Sequence, residues 1–212
     1  MRSFDFGFYG EGGRDYSFLP GVLRRTLEGF LLPEFDVQGI TIPRYRDGPN
    51  DEETIKRLAQ DYAGYPLIVI HFDADKRDPA QTRHNRFERG FAKLAQITDA
   101  NRDMLPIIPI RNTEAWLLAD FAAFSHICGL KGDAEEFGFP IHAHEVETIT
   151  DSVLRVDKAF KAANVRKDME SDLLRELAKN IDMLRLQNVS AYRLFMEDMQ
   201  AFLIEKRFIR KT

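Results

Sequence analysis

Runs of continuous or alternating apolar residues are interleaved, over the first 130 positions, with stretches whose apolar residues recur every three to four places. FDFGFYG (4–10), aromatic-rich and followed by glycines, predicts a first strand. From Ser17 to Leu31 the residues Phe18, Leu19, Val22, Leu23, Leu27, Phe30 and Leu31 keep helical spacing, with Pro20 expected in the first turn, where its missing N–H is harmless. FDVQGITIP (35–43) alternates like a strand, and Asn50 with Glu53 forms a capping-box-like start for a helix reaching about Ala63. PLIVIHF (66–72) is the unbroken run of a central strand covered on both faces. A charged helix over 79–101 places Phe87, Phe91, Leu94 and Ile97 on one side, and MLPIIPI (104–110) predicts a strand whose prolines suit a sheet edge. Thr113 is expected to cap one apolar helix, EAWLLADFAAF.

This order, β-α-β-α-β-α-β-α, predicts an α/β fold with a largely parallel four-stranded sheet and helices on both faces. After residue 130 strand patterns stop. Helices are expected over 151–164, 170–187 and 190–207, the last capped by Ser190. The organisation expected is an α/β domain over 1–130 and a helical C-terminal subdomain over 131–212 packed on it.

Composition narrows the class. With 212 residues, 44% hydrophobic and 30% charged, the chain can bury a sizeable core. A net charge of −4 and a pI of 5.8 provide no global basic field for nucleic acid. One cysteine, Cys128, excludes an intrachain disulfide and any Cys-based zinc site, and points to a reducing compartment. The opening MRSFDFGFYGEGG has no uninterrupted apolar run, and no segment approaches ~18 apolar residues. A cytoplasmic protein is expected.

The chemistry is carried by carboxylates at predicted strand ends. HFDADKRD (71–78) ends the central strand with Asp73 and Asp75, which point the same way if the backbone stays extended. Glu11 follows the first strand, with Asp15 four residues later, and Glu114 follows the fourth. Ligands of parallel α/β sheets collect outside the carboxyl ends of the strands. Carboxylates gathered there suit a hard divalent cation, Mg²⁺ or Mn²⁺. Each residue also has a plain structural reading: Glu11 in a glycine turn, Asp15 as a helix cap, Glu114 favoured by a helix dipole, and the Asp pair as a polar strand end.

A Glu within GEG after the first strand, a later apolar strand ending in Asp-x-Asp, and this β/α order resemble the Toprim fold of topoisomerases, primases and overcoming-lysogenisation-defect (OLD) nucleases. EGGRDYSFL is similar to the OLD-type pattern, and PIRNTEAWLLAD resembles small bacterial stand-alone Toprim-like proteins of unknown function. The resemblance covers about residues 4–125. It implies Glu11, Asp73 and Asp75 as metal ligands, Asp15 and Glu114 in positions matching a second metal, and metal-dependent phosphodiester hydrolysis on DNA or RNA. It further implies a role in phage defence beside an ATPase partner. OLD-type nucleases also use a basic residue late in the domain, to which no single lysine here maps. Lys76 and Arg111, with Arg77, are the nearest cations in sequence, so Glu11, Lys76 and Arg111 are the candidate catalytic residues.

Other readings stand beside this one. A Toprim-like module could bind an ATPase or nucleic acid without catalysis. Asp-x-Asp also occurs in haloacid-dehalogenase-type phosphatases and nucleotide-sugar glycosyltransferases, although here it lies on the third strand and precedes Lys76 and Arg77. His142, His144 and Glu145 form an alternating polar loop, His71 and Trp116 read as core, and Cys128 as packing. Arg44, Arg46, Arg83, Arg86 and Arg89 are candidate phosphate contacts, and EKRFIRKT is a basic tail. A homo-oligomer is among the open assembly states.

Overall fold

The computed structural model describes residues 2–75 and 78–210. Four parallel strands, β1 (Arg2–Tyr9), β2 (Phe35–Thr41), β3 (Leu67–His71) and β4 (Met104–Ile107), form one sheet in the order β2-β1-β3-β4. The register pairs Phe8 with Thr41, Tyr9 with Ile70 and His71 with Ile107, which brings the carboxyl ends of all four strands to one edge. All five residues of β3 are buried, as its unbroken apolar run requires. β4 is an edge strand, in keeping with its proline.

Alternate side chains feed two cores. Phe4, Phe6 and Phe8 of β1 and Leu67 and Val69 of β3 pack against α1 (Gly13–Phe30). Ile68 and Ile70 face the other way, onto Ile55 and Leu58 of α2 (Asp51–Asp61) and onto Phe87 and Leu94. Asn50 caps α2 as expected, its side chain accepting the Glu53 N–H at 2.9 Å.

α5 (Thr113–Leu117), α6 (Phe121–Cys128), α7 (Ser152–Ala162), α8 (Glu170–Asn180), α9 (Met183–Leu186) and α10 (Ser190–Glu205) complete the larger core, which runs without a break from Phe4 to Leu203. α8 lies against α1 at Gly21, where a Cβ would stand 2.6 Å from that of Ala178. Among the described residues no helix is long and apolar enough to cross a membrane.

Several elements depart from expectation. α1 starts at Gly13, four residues early, and so carries Pro20 in its interior. Residues 79–101 are not one helix. Asp78 caps α3 (Pro79–Thr82), a π-helical turn follows over Arg83–Glu88, and α4 (Arg89–Lys93) ends in a 3₁₀ turn at Leu94–Gln96. Asn112, not Thr113, caps α5. The apolar helix expected there is broken at Asp120, whose Oδ1 accepts the Ala123 N–H and whose Oδ2 accepts the Asp182 N–H across 62 residues. The helix expected over 170–187 likewise divides, with Asp182 capping α9. Ser190 donates its hydroxyl to Glu147, and the other oxygen of Glu147 accepts the Ala191 N–H, so a distant carboxylate does the capping expected of Ser190.

Candidate metal centre

β1 and β3 are neighbours, yet the chain leaves them towards opposite faces: α1 joins the larger core, and the segment after β3 joins the smaller. That divergence opens a crevice at their carboxyl ends, the place where parallel α/β sheets bind ligands. Gly10, Glu11 and Gly12 make the turn out of β1. The parallel pairing of β3 and β4 is prolonged past both strands by Phe72 N–H to Ile107 O, Ala74 N–H to Pro109 O and Asp75 N–H to Arg111 O. Asp73 and Thr113 are thereby carried to the crevice floor.

Glu11 and Asp73 meet there. Glu11 Oε2 accepts the backbone N–H of Asp73 at 2.8 Å, and Oε1 accepts from Arg86 Nη2 at 2.6 Å. Glu11, His71 and Asp73 can each offer one donor atom such that all lie within 4.8 Å of one another. Asp73 Oδ1 is buried and has no hydrogen bond; His71 Nε2 lies 3.2 Å away without hydrogen-bond alignment. On the other side of the ring, Nδ1 stands 3.2 Å from Asp15 Oδ2, also out of line. Asp15 is tied down three ways in all, since it also accepts from Thr113 Oγ1 and from the Gly12 N–H, both at 2.7 Å.

Burial opposes charge throughout, and the three groups answer differently. Burial pushes the Asp73 carboxyl above its ordinary range, and the nearby His71 does not cancel this. Burial works against the imidazolium of His71, but Asp15 and Asp73 outweigh it and hold the ring up at about 9. Burial also disfavours the Asp15 carboxylate, yet His71, Thr113 and the Gly12 N–H outweigh it and hold it low. The arrangement is a firm Asp15 anion, a His71 cation and an Asp73 carboxyl whose ionisation burial opposes.

Arg86 was expected only as one of several phosphate contacts, and nothing in its spacing marks it out. The π-helical turn aims it into the crevice, where it grips Asp51 with two nitrogens and Glu11 with one, its guanidinium 4.7 Å from the centre of the Phe72 ring. Its hydrogen bonds to the Asp51 and Glu11 carboxylates raise its pKa further.

The remaining predicted residues lie elsewhere. Asp75 is exposed, with φ +54°, so the period-two argument that aligned it with Asp73 ends where the backbone stops being extended. Arg111, also left-handed at φ +74°, contributes its carbonyl to the Asp75 N–H. Glu114 accepts from Arg14 at 3.1 Å, and Arg14 also binds Asp157 and Glu170, a clasp joining α1, α5, α7 and α8. Lys76 and Arg77 lie outside the described residues. The His142 and His144 rings stack 5.6 Å apart at the exposed start of a 3₁₀ turn.

The donors fit a divalent cation. Two carboxylates with a buried, unbonded oxygen between them suit Mg²⁺ or Mn²⁺, and the imidazole favours Mn²⁺ of the two. His71 must lose its proton to ligate, so affinity should rise with pH.

A family model described as "Domain of unknown function (DUF4276)" matches residues 10–197. No curated protein and no solved structure matches the chain.

Proposed function

The chain belongs to that family of unknown function, and we propose from its site that it is a divalent-metal-dependent phosphodiesterase acting on nucleic acid, of the Toprim-like kind its strand-end carboxylates resemble. One observation carries the reading: Glu11 and Asp73 converge with His71 where β1 and β3 diverge, and an Asp73 oxygen is left buried and unbonded. Glu11 and Asp73 would hold Mg²⁺ or Mn²⁺, with His71 as a further donor. The cation, when bound, polarises a phosphoryl oxygen and makes water a stronger nucleophile. Asp15 fixes the orientation of His71 through the shared contact with Thr113. Arg86, already within hydrogen-bonding distance of Glu11, stands where it can steady the charge that grows on a phosphate in the transition state.

Hydrolysis of plasmid, linear and single-stranded DNA and of RNA, each with Mg²⁺ or Mn²⁺, tests the proposal. Cleavage should vanish with chelator and in Glu11→Gln, while Arg86→Met should lower turnover and leave metal affinity intact. A non-catalytic binding module is the second reading. It is favoured by the distance of Asp75 and Glu114 from the trio, which leaves fewer carboxylates at the crevice than a two-metal site uses. Purified protein that binds Mn²⁺ and cuts none of these substrates would establish that reading.

A further inference from the structure

The chain as a whole is acidic, yet one hollow beside the sheet is lined mainly by cations. A groove of about 570 Å³ runs between α1, the free edge of β2 and α8, and a second hollow of about 310 Å³ continues it past the end of β2. The two share Tyr16, Thr41 and Arg175. Five cations line them, Arg24, Arg25, Arg44, Arg175 and Lys179, against a single carboxylate, Glu28. With Asp172 and Glu176, which pair with Arg175 and Lys179, counted as well, five cations stand against three carboxylates on a protein of net charge −4.

Four of the five cations are exposed. Arg25 is spent on the carbonyls of Ala178 and Ile181, which cap the end of α8. Arg24, Arg175 and Lys179 are exposed and paired only to carboxylates one turn away on their own helices, Glu28, Asp172 and Glu176. Such exposed pairs are worth little and exchange readily for a better anion. Arg44 makes no ion pair among the described residues and is exposed. The floor beside it is rigid, because Tyr16 donates its hydroxyl to Ile42 O at 2.9 Å.

The groove opens at the same end of the sheet as the crevice. β2 ends beside β1 at the register Phe8–Thr41, so Thr41 and Arg44 lie on the same sheet edge as Glu11, on the flank away from β3. Tyr16 directly follows Asp15, which holds His71.

We propose that this groove is a track for the backbone of a single-stranded nucleic acid, held by Arg24, Arg44, Arg175 and Lys179 and directed toward Glu11 and Asp73. The choice of ligand rests on the phosphodiester reading of the centre. A line of separated cations matches a line of phosphates, and with Tyr16 hydrogen-bonded into the floor the contact is to the backbone rather than to bases. Binding is therefore indifferent to sequence and sensitive to salt.

Fluorescence anisotropy of a labelled oligo(dT) strand, titrated with the full chain in EDTA, tests this. Log affinity against log salt, over roughly 50 to 200 mM, should fall with a slope of about −3 for four phosphate contacts. Arg175→Glu with Lys179→Glu should weaken binding about tenfold or more and flatten the slope, and an excess of poly-glutamate should leave the strand bound. Unchanged affinity in that double variant, equal binding of a blunt duplex, or displacement by poly-glutamate would overturn the proposal. With metal chelated, the outcome is independent of the centre: strand binding without Mn²⁺ binding defeats only the metal reading, and Mn²⁺ binding without strand binding defeats only the track.

Discussion

His71 is fully enclosed, carries a proton at neutral pH, and is flanked by two carboxylates that burial treats unequally. Its folded pKa of about 9 lies above the ordinary value of 6.5, so the stability it contributes is complete below about pH 6.5 and is lost as pH rises through 9. In chelator, the melting temperature should therefore decline from pH 7 to 8.5. A flat profile, with the ring titrating near its ordinary value by NMR, would contradict the buried cation. Asp73 is the complementary case. Asp73→Asn removes a carboxylate that burial disfavours but also a neighbour of His71, so the apo protein should change by no more than about 1 kcal/mol in urea denaturation. Ile70→Asp, which buries a charge without a partner in the smaller core, should prevent folding. Comparable collapse of the two variants would make Asp73 a structural residue.

Elements were readable from sequence wherever one segment decides its own fate. The unbroken apolar run of β3, the aromatic-rich run of β1 and the Asn50 cap of α2 are local signals, and each element stands where they put it. Where a distant residue decides, the pattern misleads. EAWLLADFAAF is apolar enough for one helix, but Asp120 breaks it to cap α6 and to receive the Asp182 N–H. Asp120→Ala should therefore cost about 2 kcal/mol, more than a lone cap, because it also orphans a long-range donor; an unchanged urea midpoint would show the break to be intrinsic to the segment. The candidate site divides in the same way. Glu11 and Asp73 were legible because strand ends are legible. Asp75 was misplaced because a left-handed residue follows the strand, Thr113 because its hydroxyl serves Asp15 rather than its own helix, and Arg86 because only a π-helical turn aims it at Glu11.

At the scale of the molecule, the C-terminal helices and the sheet share one core, and among the contacts at their border one guanidinium gathers carboxylates from several helices. Arg14 binds Glu114, Asp157 and Glu170 from three different helices, with its own side chain largely enclosed. Arg14→Met would leave Glu114 and Glu170 facing one another in a sheltered site, at a cost of about 2 kcal/mol once solvent screening is allowed for. Adding Glu114→Gln and Glu170→Gln should recover most of that loss, and no loss in Arg14→Met alone would show the clasp to be ornamental. The same clasp accounts for Glu114 being absent from the crevice and leaves Glu11, His71 and Asp73 as the donors of the proposed centre. Calorimetric titration of Mn²⁺ into the intact chain tests that centre most directly. One ion should bind the wild-type protein, binding should disappear in Glu11→Gln and in Asp73→Asn, and it should persist in Asp75→Asn and Glu114→Gln. No heat at about millimolar metal, or an isotherm indifferent to Asp73→Asn, would contradict the account.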